Sequence, residues 1–298
     1  MEVHQLLALR ELRDQGSVAA AAAVLRLTPS AVSQQLAALQ ASAGRPLTRR
    51  EGRRLLLTPA GERLASAAGD VADAMARARL ALAEGDDAPD PEPVSVSAFH
   101  SAALAWFPSL LRQADAGGPP VRLRDEDVEL DRFPRLAATT DLVIAHRPAG
   151  TSPWPVGQVE VVPLAREPLV LALRRGHPLA TRPVIRVADL VDETWIAVHE
   201  GFTLAPLLAA LGEAAGTPVD IAHRINEFHV AAAMVAVGDA VCLLPERTGL
   251  PAEYADRVAL RRIEDLAIER RIDVLARRDR LERPAVRAVL AALRELAG

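Results

Sequence analysis

Residues Ser17 to Gln40 read SVAAAAAVLRLTPSAVSQQLAALQ, and this stretch decides the architecture of the amino-terminal end. Gly16-Ser17 ends one helix and caps the next, and the run Ala19 to Leu25 forms helix readily. Leu27-Thr28 makes a turn. Thr28 then caps a second helix that begins at Pro29, where a missing N–H costs nothing. In that helix Val32, Leu36 and Leu39 recur on one face, while Ser30, Ser33, Gln34 and Ala37 fall toward the other. Two short helices joined by a tight turn, the second opening on short polar side chains, predict a helix-turn-helix whose second helix can enter a major groove. There Ser and Gln exchange hydrogen bonds with base edges and phosphates. The bland alternative is a helical hairpin with a solvated polar face.

The residues after this hairpin favour the groove. RPLTRREGRRLLLT, Arg45 to Thr58, reads as two short strands about Glu51-Gly52, with Arg49, Arg50, Arg53 and Arg54 around the turn, the composition of a basic wing. The 298-residue chain has a net charge of −4 at pH 7, yet residues 1–60 hold 8 arginines against 4 acids, giving +4, and the rest is −8. A basic module on an acidic body is the asymmetry of a chain whose one end meets a polyanion. All 35 basic residues are arginine. The absence of lysine excludes P-loop, Schiff-base and Ser-x-x-Lys chemistry. A GC-rich genome accounts for the choice of Arg over Lys, and every cation offered to a nucleic acid is then a guanidinium, suited to forked contacts.

Thr58 to Glu84 is expected as one long helix, capped by Thr58, with Pro59 in its first turn and Glu62 supporting the cap. Its apolar positions Leu64, Ala67, Ala68, Val71, Met75, Ala78 and Leu82 recur at spacings of three and four. At roughly 1.5 Å per residue it spans about 40 Å, too long for a satellite of the small head, and its stripe of mostly small residues suits a second helix. It reads as a dimerisation arm. GDDAPDPEP, Gly85 to Pro93, is a breaker-rich hinge. Strands are expected at Val94–Phe99, Val121–Arg124, Asp141–Ala145, Val159–Pro163, Leu169–Arg174, Trp195–Val198, Asp239–Leu244 and Ile272–Ala276. Helices are expected at Ala102–Ala114, Leu204–Ala215, Glu227–Val237 and Pro284–Leu296. This alternation predicts α/β structure with mostly parallel sheets, long enough for two similar lobes. The single cysteine, Cys242, lies in an apolar run, so no intrachain disulfide forms and it reads as a buried small hydrophobe. The start MEVHQLLALRELRDQ has no apolar signal core, and no window approaches ~18 uninterrupted apolar residues. A soluble cytoplasmic chain with no membrane partner is expected.

Taken together these residues resemble the LysR-type transcriptional regulators. The resemblance rests on Leu6, Gly16-Ser17, Ala21-Ala22, Leu25, Ala31-Val32-Ser33, Gln35, Leu39, Gly44, Leu47, Arg50, Arg53, Leu57-Thr58 and Ala60-Gly61. Departures are Gln40 for the usual Glu, Ala43 for Leu and Thr48 for Phe, which weaken wing packing in principle. The resemblance implies α/β architecture with an N-terminal all-α winged helix-turn-helix domain over residues 1–60, its helix-turn-helix at about 18–37. It further implies a linker and dimerisation helix at 58–84, a hinge at 85–93 and an effector-binding domain at 94–298. That domain would comprise two α/β subdomains resembling periplasmic binding proteins, lobe I at about 94–165 and 270–298 and lobe II at about 166–269. RGHPLA (Arg175 to Ala180), VADLVDETWI (Val187 to Ile196) and VGDAVCLLP (Val237 to Pro245) fit lobe II, although Gly238-Asp239-Ala240 stands where the family has Gly-x-Gly. Crossings are expected near Pro163–Pro168 and Glu269–Ile272. By the same resemblance Ser30, Ser33 and Gln34 contact DNA in the groove, with Thr28 and Pro29 at the helix mouth. Arg50 and Arg53, flanked by Arg49 and Arg54, hold phosphate or the minor groove. The implied partners are double-stranded operator DNA, a small-molecule effector of anionic character and further copies of the chain as a homodimer or homotetramer. RNA polymerase is a further candidate, and no enzymatic activity or cofactor is implied.

An effector would sit between the lobes, where strand ends and helix N-termini face a cleft. Phe99, His100 and Ser101 leave the first strand of the body, where exposed N–H groups favour an anion. His199 to Thr203 and Asn226 to Phe228 form two further groups, from which His199, Thr203 and Phe228 are the chosen contacts, and His146-Arg147 lies after the Asp141 strand. For each, a plain core or cap role is the alternative. His223, Glu227 and His229 do not share a helix face and suggest no metal site; His199-Glu200 lacks the second histidine of HExxH; DEDVELD (Asp125 to Asp131) reads as a solvated loop. The rival reading is an α/β enzyme or a solute-binding module carrying an accessory helical domain. No Gly-x-Ser-x-Gly elbow or Gly-x-Gly-x-x-Gly loop appears, and a secreted binding protein would need a signal peptide and no basic head.

Overall fold

The computed structural model describes residues 1–52, 54–83, 92–151, 154–155 and 157–297. Helix α1 (Val3–Gln15) stops at Gly16, whose φ of 74° only glycine adopts without strain. Helix α2 (Val18–Leu25) starts where Ser17 accepts the Ala20 N–H, and α3 (Pro29–Ala43) where Thr28 accepts the Ala31 N–H. Leu9, Leu12, Ala21, Ala22, Val32, Leu36 and Leu39 close the head's core. Strands β1 (Thr48–Glu51) and β2 (Arg54–Leu57) pair antiparallel as the wing. The loosening expected from Gln40 and Thr48 is not seen. The Gln40 Oε1 accepts the Leu47 and Thr48 amides at 2.9 and 3.0 Å, a polar clamp that ties α3 to the start of the wing.

Helix α4 (Pro59–Ala83) is capped by Thr58, whose Oγ1 accepts the Gly61 N–H at 3.1 Å. The Thr58 N–H donates to the Leu47 carbonyl instead of the Glu62 side chain, so Glu62 closes no capping box. Gly61 is required here: a Cβ would stand 2.0 Å from the Leu47 oxygen. Of the hinge expected at 85–93, residues 85–91 lie outside the described residues.

The body begins with β3 (Val94–Ala98), α5 (His100–Asp115), β4 (Val121–Asp125), α6 (Phe133–Leu136) and β5 (Leu142–Pro148). Strand β6 (Glu160–Arg174) leads to β7 (Thr194–Ala197), α7 (Ala205–Ala215), β8 (Asp220–Arg224), α8 (Phe228–Val235), β9 (Val241–Pro245) and β10 (Val258–Arg261). Strand β11 (Glu269–Ala276) returns, followed by α9 (Arg278–Leu281) and α10 (Pro284–Ala297). The strands run β4-β3-β5-β11-β6-β9-β7-β8, with β10 on β6. Separate cores sit on the two halves of this path, one around Phe99, Trp106 and Ile144, the other around Trp195, Leu171 and Ala232.

Two expectations change. The sheet is mixed rather than mostly parallel, because β6 and β11 cross between the halves in opposite directions and so pair antiparallel with each other and their neighbours. Val159–Pro163 and Leu169–Arg174 are the two ends of one strand. Its prolines do not break it because they fall where ladder donors are dispensable. Pro163 adjoins the register shift at Ile272/Asp273, and Pro168 marks the change of partner from β11 to β9.

The head rests on the body through charge. Arg277, at the end of β11, donates to both Glu11 carboxylate oxygens at 2.6 and 2.9 Å and to Asp14 at 3.0 Å. Arg10 reaches Asp279 at 3.2 Å. Among the described residues no helix is long and apolar enough to cross a membrane.

Candidate functional site

The head presents one polar face. Thr28, Pro29, Ser30, Ser33 and Gln34 are all exposed at the start of α3, opposite the buried Val32, Leu36 and Leu39. The Thr28 hydroxyl is held by the cap, and Ser33 Oγ donates to the Pro29 carbonyl at 2.9 Å, which leaves its lone pairs outward. Gln34 makes no side-chain hydrogen bond among the described residues. On the wing, Arg49 is tied to Glu51 at 2.8 Å, whereas Arg50 and Arg54 are exposed without a carboxylate partner among the described residues. Arg53 lies outside the described residues. Exposed guanidiniums beside a helix start are what a phosphate backbone requires.

The second site is a narrow, nearly closed cleft between the halves of the body, with a free volume of about 20 Å³, room for a single water. Phe99, His100, Ser101, Asp127 and His146 line one wall, and Val198, Phe202, Thr203, Leu204, Asn226, Glu227 and Phe228 the other. Six of the seven sequence candidates thus converge: Phe99, His100, Ser101, His146, Thr203 and Phe228. His199 does not line it. Its side chain is exposed, and only its backbone N–H takes part, donating to Asn226 Oδ1 at 2.8 Å. The end of β7 turns outward after Val198, which carries that imidazole away. Arg147 is likewise held elsewhere, by Asp273 at 3.1 Å.

Behind the cleft lies Arg270 on β11, fully buried. Its guanidinium pairs with Glu167 of β6 at 2.6 Å and donates to Ser101 Oγ at 3.0 Å and Thr248 Oγ1 at 3.1 Å. It stands 4.9 Å from the Phe99 ring centre and 5.7 Å from that of Phe228, one ring from each half. Burial pulls the Arg270 pKa below the ordinary arginine value, opposed by Glu167. Three buried polar atoms here have no partner among the described residues: Arg270 Nη1, Thr203 Oγ1 and His146 Nδ1. Such atoms cost roughly 1–3 kcal/mol each if left so, and they mark where a ligand or water is wanted. Burial lowers the His146 pKa to about 4, against the pull of Asp127, so its imidazole is neutral at pH 7.

Sequence reading missed Asp127 and Arg270. DEDVELD is not wholly solvated: Glu126 accepts the Ser97 hydroxyl at 2.7 Å and Asp127 faces the cleft. For Arg270 a signal existed. It shares parity with Ile272 and Val274, which places it on a buried strand face.

Comparison with known proteins bears on both sites. Residues 3–62 match the family model for a bacterial regulatory helix-turn-helix protein of the lysR family. Residues 88–298 match the LysR substrate binding domain. A probable hydrogen peroxide-inducible genes activator from Mycobacterium avium is 30% identical over 239 residues, 78% of this chain and 74% of that one. A small neutral protease regulatory protein from Streptomyces coelicolor is 29% identical over 254 residues, 81% of this chain and 72% of that one. Among solved structures, a full-length OxyR variant from Pseudomonas aeruginosa superposes with a TM-score of 0.62 at 20% identity, covering 100% of this chain and 97% of that one.

Proposed function

The chain belongs to the LysR family of DNA-binding transcriptional regulators, and from that premise we propose how its parts divide the work. The start of α3 reads an operator through Ser30, Ser33 and Gln34, with Thr28 and Pro29 at the groove's edge. Arg50 and Arg54, with Arg49 and Arg53 beside them, hold the flanking backbone. A second copy packs along α4, whose Ala67, Met75, Ala78 and Leu82 stay exposed, Leu82 at 89%. That stripe places two recognition helices in successive major grooves, and contacts between bodies extend the dimer to a tetramer. The chain acts in the cytoplasm, by binding rather than by catalysis, and its output passes to RNA polymerase.

The interlobe cleft, nearly closed in this structure, takes a small-molecule effector when its halves part. The observation that carries this is that His146 and Thr203, each with an unpartnered buried polar atom, line the cleft beside Ser101, with the unpartnered Arg270 Nη1 behind Ser101. Donors on Arg270, Ser101 and Thr203 suit an anionic group, seated between the Phe99 and Phe228 rings. The route to the head is short. Arg270 behind the cleft lies on β11 and Arg277 at the head directly follows its last residue, roughly 23 Å apart at about 3.3 Å per residue. A shift of the halves about β6 and β11 therefore moves the contact with Glu11 and Asp14, and with it the spacing of the heads on DNA.

The test is a thermal-shift screen of small carboxylates and amino acids, since a ligand bound only by the folded state raises its melting temperature. Hits are then added to operator binding. A hit that binds equally well to Ser101→Ala and Thr203→Val removes the cleft assignment.

A further inference from the structure

Three side chains meet at the mouth of the cleft that the effector reading does not use together. His100 opens α5 on one half; Glu227 and His229 stand at the start of α8 on the other. One donor atom of each lies within 4.8 Å of the other two. His100 Nε2 is 3.4 Å from Glu227 Oε1. A tetrahedral ion holding its donors at about 2.0–2.1 Å sets them about 3.4 Å apart, so one edge of that tetrahedron is in place and His229 needs to close by no more than about 1.4 Å. Along the chain His229 neighbours His223, with which it shares no face; the fold brings it to His100 instead, 129 positions away.

The surroundings are those of a metal ligand set. His100 Nδ1 lies 2.8 Å from Asp125 Oδ2, the carboxylate–imidazole pairing that fixes the tautomer and turns Nε2 toward an ion. Glu227 spends its Oε2 on the Val230 N–H at 2.9 Å, which anchors the side chain and leaves Oε1 facing His100. The His100 and His229 rings meet edge-on at 88° with centres 6.0 Å apart, so neither covers the other's nitrogens. Asp125 and Glu227 add negative charge at the site, and all three donors are half-buried, open enough for an ion to enter.

We propose that His100, Glu227 and His229 bind one divalent transition-metal ion of the zinc class across the cleft, with Asp125 orienting His100. Two imidazoles and a carboxylate match zinc and its first-row neighbours, not calcium or magnesium, which take oxygen ligands. Three protein ligands leave a fourth position for water. Because the ligands come from both halves, the ion staples them together, so its binding opposes opening of the cleft. Only this last consequence rests on the cleft being the regulatory site; the ion itself is detected on free protein, without DNA or effector.

The experiment is calorimetric titration of the full chain with zinc, paralleled by cobalt(II) absorption. One ion per chain is expected, with visible cobalt bands of low symmetry. His229→Ala, His229→Gln and His100→Ala abolish both signals, while Asp125→Asn weakens binding by about 10–100-fold. His223→Ala, on an exposed position, changes nothing. Circular dichroism confirms that each variant is folded, and operator binding by His229→Ala without metal matches the parent, which separates this site from the function of the head. The proposal is overturned if the parent binds no zinc, or if the His100→Ala/His229→Ala double variant binds it as the parent does, which would place the ion elsewhere.

Discussion

Replacing Arg277 with methionine tests whether the head is held to the body by charge. The guanidinium is 8% exposed, and its partners Glu11 and Asp14 are 5% and 6% exposed at their side chains. Removing the cation strands Glu11, which loses both of its hydrogen bonds. Asp14 keeps Arg13 at 2.7 Å and Arg10 at 3.8 Å. Breaking a buried pair costs about 3–5 kcal/mol, and the residual pairing of Asp14 argues for the lower end, about 3 kcal/mol. That corresponds to a factor of roughly 150 in the docked population. All three tryptophans, Trp106, Trp154 and Trp195, lie in the body, so tryptophan fluorescence follows the lobes while far-ultraviolet dichroism also sees the head. The expected result is an early dichroic transition that fluorescence does not follow. Pairing the variant with Glu11→Leu completes a double-mutant cycle, in which the double variant recovers at least about 2 kcal/mol relative to additivity, because matched apolar groups carry no stranded charge. A cycle that closes additively, or two probes that shift together by the same small amount, refutes the latch.

Other outcomes rest on single residues. His146, neutral with its pKa lowered to about 4, refuses a proton that the unfolded chain accepts near pH 6.5. Stability from this residue is full above pH 6.5, declines by about 3 kcal/mol as pH falls to about 4, and is flat below. His146→Phe flattens that limb of an acid-unfolding profile; an unchanged slope contradicts the assignment. Cys242 is buried and its thiol is pushed up to about 12 by desolvation, so iodoacetamide should label the native chain far more slowly than the urea-unfolded one, and equal rates would show the strand open. Arg50→Ala should weaken operator binding across sequences and lower the salt slope by about one unit; an unaltered slope takes Arg50 off the phosphates.

How much of this was legible in the sequence depends on the range of the interactions. The head was readable because caps, turn and apolar stripe act within four residues: Ser17, Thr28, Pro29, Val32, Leu36 and Leu39 all do what local spacing implies. The cleft was half readable. Strand exits at Phe99–Ser101 and helix starts at Asn226–Phe228 announce themselves locally, but that they face each other depends on β6 and β11, whose prolines imitate strand ends. His199 stands off the cleft, and nothing local distinguishes a strand exit that lines it from one that does not. The partner of Arg270, whose strand parity did signal a buried face, the partner of Arg277 and the His100–His229 meeting were out of reach. Each is an ordinary arginine or histidine until the chain brings a partner from more than a hundred positions away.

The most direct test is a footprint of the purified chain on the DNA upstream of its own gene, repeated between about 50 and 200 mM salt. A protected segment with two-fold related half-sites spaced by about 10 base pairs or a multiple is expected, with affinity that falls steeply with salt. No protected segment, or binding indifferent to salt, would contradict it.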